Sequence, residues 1–485
     1  MSVTDFIFRF WQDLTGWLLL LSILVAVGTF CWVLHSKRET MSAIAWSLTV
    51  LLVPFLGAFL FFLFGSQSIT RPITRKQRRR SDYKKASGHP EGKPSPASET
   101  PERWRTLAKL GAHVDGFPVT AGNAVTLYHD GRPAFDAMLE AVHSARDHVH
   151  IQFFIYRSDP SGERFMDALC DCARRGVQVR FLYDSVGSYK LSSKLLRRLD
   201  EAGGRSAAFL PILNPLYRFR VNLRNHRKIL VVDGRVGFTG GLNIADEYIS
   251  LSPRYGHWRD THLRVEGDGV HGLQRVFLED WHFATEELVL GDRYIPPFEK
   301  APGSSLVQVV HSGPDMQYKS VRETYFAGIL NARQRVWIAS PYFVPDDGLK
   351  DALILAARSG IDVRLLGLFR PDKWIPFLAA RFYWTDVIAA GVKVYQYTGG
   401  MMHSKYVLVD GEWASVGTAN MDNRSLHLNF EVNYQLFDAG LTGELEEHFL
   451  NDLKSSIRID GDSYSERPFV SQLAENASRL LSPIL

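Results

Sequence analysis

The chain has only three cysteines in 485 residues, Cys31, Cys170 and Cys172. Three thiols cannot form a disulfide framework, and Cys170-x-Cys172 lacks the spacing of a zinc site. Nothing in the cysteine pattern calls for an oxidising compartment or a structural metal. Net charge is scant as well: 56 basic and 52 acidic residues leave +4, too little by itself to indicate a polyanionic partner. Apolar residues make up 46% and charged residues 22%, which excludes an intrinsically disordered chain. The first apolar run also lacks the marks of a cleaved signal peptide. Asp5 and Asp13 oppose Arg9 ahead of it, and no small-residue cleavage site follows.

What is present begins with that run. Residues 17–34 and 43–65 are two apolar stretches, each about long enough to cross a hydrocarbon core of roughly 30 Å as a helix. Only a short polar loop separates them, so residues 1–66 read as a two-helix transmembrane hairpin. Pro54 and Gly57 interrupt the second stretch but are tolerated in membrane helices. Beyond it stand Arg71, Arg75, Lys76, Arg78, Arg79, Arg80, Lys84 and Lys85 against the single acid Asp82. The loop offers only Lys37 and Arg38, offset by Glu39. The positive-inside rule therefore places the region after the second helix on the cytoplasmic side. There the basic run has an anionic lipid surface as its nearer partner, ahead of nucleic acid. Residues 67–115 read as a linker, first basic and then rich in Pro and Ser.

The rest of the chain repeats itself. "NHRKILVVDGRVGFTGGLN" (225–243) and "MHSKYVLVDGEWASVGTAN" (402–420) share His226, Lys228, Asp233, Gly234, Gly240 and Asn243 with His403, Lys405, Asp410, Gly411, Gly417 and Asn420 at equal spacing. Upstream, "VHIQFFIY" (149–156) echoes "VWIASPYF" (336–343), and "ARRGVQVRFL" (173–182) echoes "ARSGIDVRLL" (357–366). Elements repeated in one order indicate an internal duplication, here 116–300 and 301–485. Strands alternate with helical stretches such as 132–145 and 347–360, which predicts an α/β fold with a mixed sheet flanked by helices. Two such halves would pack about a pseudo-two-fold axis with their histidine hairpins face to face. In a regular strand each His and Lys would share one face, while Asp233 and Asp410, each before a Gly, would face away. Those aspartates therefore suit a turn or an ion pair better than contact with substrate.

His-x-Lys-x4-Asp followed by Gly-Gly/Ser/Thr-x-Asn, present twice, resembles the signature of the phospholipase D superfamily. Within it, the apolar hairpin, "HWRDTHLRVEG" (257–267) and "LNFEVN" (428–433) are similar to bacterial cardiolipin synthases. The resemblance implies a membrane-anchored phosphatidyltransferase of the bacterial cytoplasmic membrane. It would join two phosphatidylglycerol molecules into cardiolipin, release glycerol, and need no metal or other cofactor. It implies a catalytic set of His226, Lys228, Asp233, His403, Lys405 and Asp410 with Asn243 and Asn420 in support. One histidine would attack phosphorus to give a phosphohistidine and the other would serve as acid and then base. The lysines and asparagines would face the non-bridging oxygens. The resemblance favours His226 as nucleophile and His403 as acid. It also points to Asp260 and Glu431 as the carboxylates that fix the imidazoles, each expected with the histidine of its own repeat. The same motifs serve a membrane phospholipase D that makes phosphatidic acid. They also serve nucleic-acid enzymes or binders, against which the apolar hairpin argues. Oligomeric state stays open.

Overall fold

Runs of β-branched residues bounded by Asp-Gly turns dictate the core strands, as in Ile229–Val232 and Tyr406–Val409, every residue of which is buried. The computed structural model describes residues 3–37, 40–65, 70–87, 100–211, 223–461, 464 and 466–485. The expected linker stretch 88–99 lies outside these, as do Arg38 and Glu39 of the interhelical loop. The described chain divides into two compact units, Met1–Arg75 and Lys76–Leu485.

In the first unit, helix α1 (Val3–Ser36) contains one segment, Leu14–Ser36, long and apolar enough to cross a membrane. The second apolar run is not one helix. It divides into α2 (Thr40–Leu52) and α3 (Pro54–Leu60), followed by a π turn, Phe61–Gly65. Pro54 has no N–H to give and pushes Val53 out of the helical region, to φ −135° and ψ 74°. Only α1 therefore meets the length criterion among the described residues. The two runs still pack together, through Val33 of α1, Val50 of α2 and Phe61.

The expected linker holds a helix whose residues from Lys76 on open the second unit. Residues Thr70–Ser87 form helix α4, and Arg105–Asp115 form α5. Strands follow at Thr120–Asp130 (β1), His148–Phe153 (β2), Gln178–Asp184 (β3), Arg205–Phe209 (β4), Ile229–Val232 (β5), Val236–Gly240 (β6) and Trp258–Glu266 (β7). The second series is Ser305–Ser312 (β8), Arg335–Ala339 (β9), Phe343–Val344 (β10), Asp362–Leu368 (β11), Lys393–Tyr397 (β12), Met401–Met402 (β13), Tyr406–Val409 (β14), Trp413–Gly417 (β15), Met421–Asp422 (β16), Glu431–Leu436 (β17) and Ser456–Arg458 (β18). One mixed sheet runs β4-β3-β2-β5-β6-β7-β1 and continues as β8-β17-β15-β14-β9-β11-β12-β18. From the β1/β8 seam outward the two halves repeat one order, so the pseudo-two-fold passes between those antiparallel strands. The expected helices are present as Gly131–Ser144 and Asp347–Arg358.

Helix α4 changes the reading of the basic run. Lys76, 3% exposed, sits 2.8 Å from Asp280 and 3.5 Å from Asp315, while Arg79 pairs with Glu286 and Arg80 with Glu279. Lys76, Arg79 and Arg80 are thus spent on Asp315 and on acids of helix Gly269–Thr285 and its end, while Arg75, Arg78 and Lys85 of the run are exposed. Asp280 also binds Arg227 at 2.6 Å and accepts from Asn225 and Gln152, at 3.0 and 2.9 Å. Burial opposes its ionisation, but Arg227 and Lys76 hold the carboxyl well below the usual carboxylate range. Removing one partner from such a buried network costs about 3 kcal/mol or more. Lys76→Met is therefore expected to lower the urea midpoint of the detergent-solubilised protein, and an unchanged midpoint would refute a structural role for α4.

Candidate active site

The histidine segments lie just ahead of their strands, not within them. His403 and Lys405 fall between β13 and β14, and His226 and Lys228 precede β5. The reason is a strand exchange between the repeats. β13 pairs with β7 of the first repeat, and the His403 N–H donates to the Arg259 carbonyl at 2.7 Å. In the other half, the His226 N–H donates to Phe430 O, and the Phe430 N–H to Arg224 O, both at 2.9 Å.

This exchange overturns the expected pairing of acids and histidines. His403 Nδ1 lies 2.7 Å from Asp260 Oδ2, and His226 Nδ1 lies 3.0 Å from both oxygens of Glu431. Each imidazole is thus held by the carboxylate of the other repeat. Sequence distance within a repeat does not reveal which strand the other half presents. With Nδ1 engaged, each ring keeps Nε2 for chemistry.

At the signature positions the two motifs differ at one residue, Gly241 against Thr418, and the structure gives the reason. A Cβ on Gly241 would stand 1.9 Å from Asp260 Oδ1, so glycine makes room for the shorter acid. At the matching place Thr418 donates its hydroxyl to Glu431 Oε2 at 2.6 Å. Asn429 holds the other oxygen at 3.2 Å. Residue type at the position after the motif glycine therefore goes with acid length.

Both lysines are buried and bond back to the carbonyl of their own histidine, Lys228 Nζ to His226 O at 2.7 Å and Lys405 Nζ to His403 O. Burial draws Lys228 down to about 7 and Lys405 to about 8. Burial, reinforced by Lys228, Lys405 and His403, holds His226 well below its ordinary value. Burial and Lys405 hold His403 at about 4. The acids diverge. Burial opposes ionisation of Asp260, but His403 and Lys405 overcome it and keep the carboxyl below its usual range. Burial pushes Glu431 up to about 7 in spite of Lys228 and Thr418.

That difference predicts a pH dependence. Ionised Glu431 accepts the Nδ1–H of His226 and leaves the Nε2 lone pair free; protonated Glu431 donates to Nδ1 and forces the proton onto Nε2. Attack by His226 is therefore expected to speed up as pH rises through about 7, while a bound anionic phosphate keeps Lys228 protonated. Rapid-quench measurement of the covalent adduct from pH 5.5 to 8 on the wild type and Glu431→Gln checks it. The wild-type slope should vanish in the variant.

His226 opens into a cavity of about 560 Å³, lined also by Phe154, Tyr342, Lys373, Trp374 and Asn420. The Phe154 ring stands edge-on to His226, centroids 4.8 Å apart, while Trp258 packs on His403 at 5.1 Å. Arg224 and Arg424 add positive charge to the wall. Apolar walls with a few cations suit an anionic phosphodiester bearing acyl chains. Asn420 lines the cavity and donates to Asp422 at 3.1 Å. Asn243 accepts from the Ile155 N–H at 3.0 Å and is not among the lining residues.

The motif aspartates stand elsewhere, which corrects their place in the catalytic set. Asp233 accepts the N–H groups of Arg146, Asp147 and His148, and Asp410 those of Arg333, Gln334 and Arg335, at 2.7–2.9 Å. Arg103 also pairs with Asp410. Both have left-handed φ, 53° and 57°, each followed by a Gly at positive φ, the backbone of a tight hairpin turn. Their carboxylates anchor the start of β2 and β9 and touch nothing in the cavity. Sequence reasoning also passed over Arg227, although it sits inside "NHRK", and Asp280, which no local pattern marks. Together with Lys76 they brace the His226 segment from behind.

Comparison with known proteins adds the family. A model described as "Cardiolipin synthase, PLD-like domain" matches residues 138–254 and 325–453, and one described as "Phospholipase D-nuclease N-terminal" matches 16–66. The chain is 41% identical over 454 residues to a cardiolipin synthase of Geobacillus kaustophilus (strain HTA426), covering 93% of this chain and 90% of that protein. It is 39% identical over 495 residues to a cardiolipin synthase of Geobacillus sp. (strain WCH70), covering 100% and 98%. In fold it resembles the crystal structure of phosphatidylserine synthase from Haemophilus influenzae Rd KW20, with a TM-score of 0.60 at 15% identity over 78% of this chain and 100% of that one. A duplicated sheet, two buried His-Lys pairs and near full-length identity to these enzymes lead to one conclusion: the chain belongs to the cardiolipin synthase family.

Proposed function

We propose that the two repeats, 116–300 and 301–485, share one site in which His226 and His403 carry phosphatidyl transfer by way of a phosphohistidine. His226 Nε2 attacks the phosphorus of one phosphatidylglycerol, and the P–O bond to glycerol breaks. With the anionic phosphate bound against it and Asp260 behind it, His403 takes up a second proton on Nε2 and gives that proton to the departing alkoxide, so free glycerol leaves. Lys228 and Lys405 offset charge on the non-bridging oxygens, and Asn420 donates to them. His403 then takes the proton from a hydroxyl of a second phosphatidylglycerol. That oxygen displaces His226 from phosphorus, cardiolipin forms and the neutral imidazole returns. The observation that carries this reading is the pair of imidazoles, each bound through Nδ1 to a carboxylate of the opposite repeat. The test supplies labelled phosphatidylglycerol in detergent-lipid micelles and identifies the products. Cardiolipin and glycerol in equal amounts are expected; phosphatidic acid alone would sink the transferase reading in favour of hydrolysis.

The finer membrane assignment is also a proposal: both apolar runs enter the bilayer of a bacterial inner membrane and the repeats face the cytoplasm. The charge asymmetry about the runs supports it. In a Cys31→Ser background, a cysteine introduced at Lys37 should react with an impermeant thiol reagent in spheroplasts and one at Ser95 should not. The opposite labelling would reverse the orientation.

A further inference from the structure

The helix Phe469–Arg479 presents its polar face to the protein and its apolar face outward. Inward it carries Glu475, 2% exposed, which accepts from Arg381 at 2.7 Å and Arg467 at 2.9 Å, and the buried Ser478. Outward stand Phe469, Leu473 and Ala477, then Leu480 just past the helix end, one stripe at helical spacing. Phe469 is 76% exposed, its neighbour Val470 75% and Leu480 74%. A helix on a water-facing surface has the reverse arrangement. The stripe is not isolated. It leads through Leu481 to Ile484, which with Leu485 walls the cavity onto which His226 opens. Trp374 and Ile375, 67% and 47% exposed, form another part of the same wall. Arg370 and Lys373, both exposed, flank them.

We propose that this face seats the catalytic unit on the bilayer, a contact separate from the N-terminal helices, and brings the cavity mouth to the lipid headgroups. An exposed Trp beside cations, next to an aliphatic stripe, is the composition of an interfacial surface. Arg370 and Lys373 supply the complement to anionic headgroups. The position of the stripe decides the occupant. It ends at the wall of the cavity, so a second copy covering it would crowd the mouth, whereas a bilayer there delivers the substrate. The proposal rests on the reading of the cavity as a phospholipid site.

Two measurements test it on the full chain in proteoliposomes of phosphatidylglycerol and phosphatidylcholine. Cys170 and Cys172 are buried, with thiols pushed up by burial, so Cys31→Ser/Val470→Cys is labelled selectively with an environment-sensitive dye. Spin labels on the acyl chains should quench it; quenching by aqueous iodide alone would overturn the proposal whether or not the enzyme is active. In the second, Val470→Glu/Leu473→Glu should lower turnover of bilayer phosphatidylglycerol at least tenfold and leave turnover of a short-chain, monomeric phosphatidylglycerol within twofold. Equal losses on both substrates, no loss on either, or a variant that splits a detergent-solubilised dimer would each overturn it. No turnover of short-chain lipid by the unmodified chain, with the dye still quenched by acyl-chain labels, would instead fault the functional reading.

Discussion

Given a phosphatidyl ester whose leaving alcohol is a nitrophenol, which needs no proton, the His403→Ala variant is expected to accumulate a phosphatidyl group on His226, and His226→Ala to form no adduct. With phosphatidylglycerol, His403→Ala should lose about 10²–10⁴ in rate, the usual worth of a positioned acid and base. His226→Ala should lose at least as much with either substrate, because nothing replaces the nucleophile. The environments favour this assignment. His403 is backed by an ionised Asp260 and is the better placed to carry a proton. His226 is held neutral by burial and the nearby Lys228 and Lys405, and keeps its lone pair. Mass spectrometry of enzyme denatured and digested at mildly alkaline pH, where the histidine P–N bond survives, locates the adduct. A phosphatidyl group on His403 in the His226→Ala variant would reverse the roles.

The crossed acids give the second large effect. Asp260→Asn should behave as a His403 variant although it lies in the repeat of His226. Turnover of phosphatidylglycerol should fall by about 10³–10⁴, as when a triad carboxylate becomes an amide, and the nitrophenyl ester should restore adduct formation. Glu431→Gln should slow the adduct itself with both substrates. If the acids served their own repeats, the two patterns would exchange. Stopped-flow release of nitrophenol beside phosphatidylglycerol turnover separates the cases. A corollary concerns half-molecules: either repeat expressed alone lacks the carboxylate for its own histidine.

Much of this site was legible in the sequence because duplication writes the same residues twice. His226, Lys228, His403, Lys405, Asp260 and Glu431 lie together in the structure, with the two acids exchanged. What escaped depends on long-range pairing. The exchange of acids follows from β13 lying against β7, two strands brought together from different repeats. Lys76 read as part of a lipid-facing run because Asp280 and Asp315, which neutralise it, lie far along the chain. The second apolar run has enough hydrophobicity for a span, yet Pro54 divides the helix where composition alone reads continuity. Asp233 and Asp410 share the motif because its hairpin turn needs them, and a motif does not say which members face the substrate.

The buried Lys76 also bears on how the enzyme is made and lost. A ribosome produces Lys76 well before Asp280 and Asp315, so the early helix must wait for the late one before either charge is neutralised. Completion of the catalytic unit is then a late event that requires a segment from the very start of its sequence. Proteolysis within residues 88–99 would free that segment to leave, and Asp280 would keep Arg227 but lose its ammonium partner. Shedding the membrane anchor by such a cut would yield a weakened enzyme, not a soluble active one, so attachment and competence are inherited together.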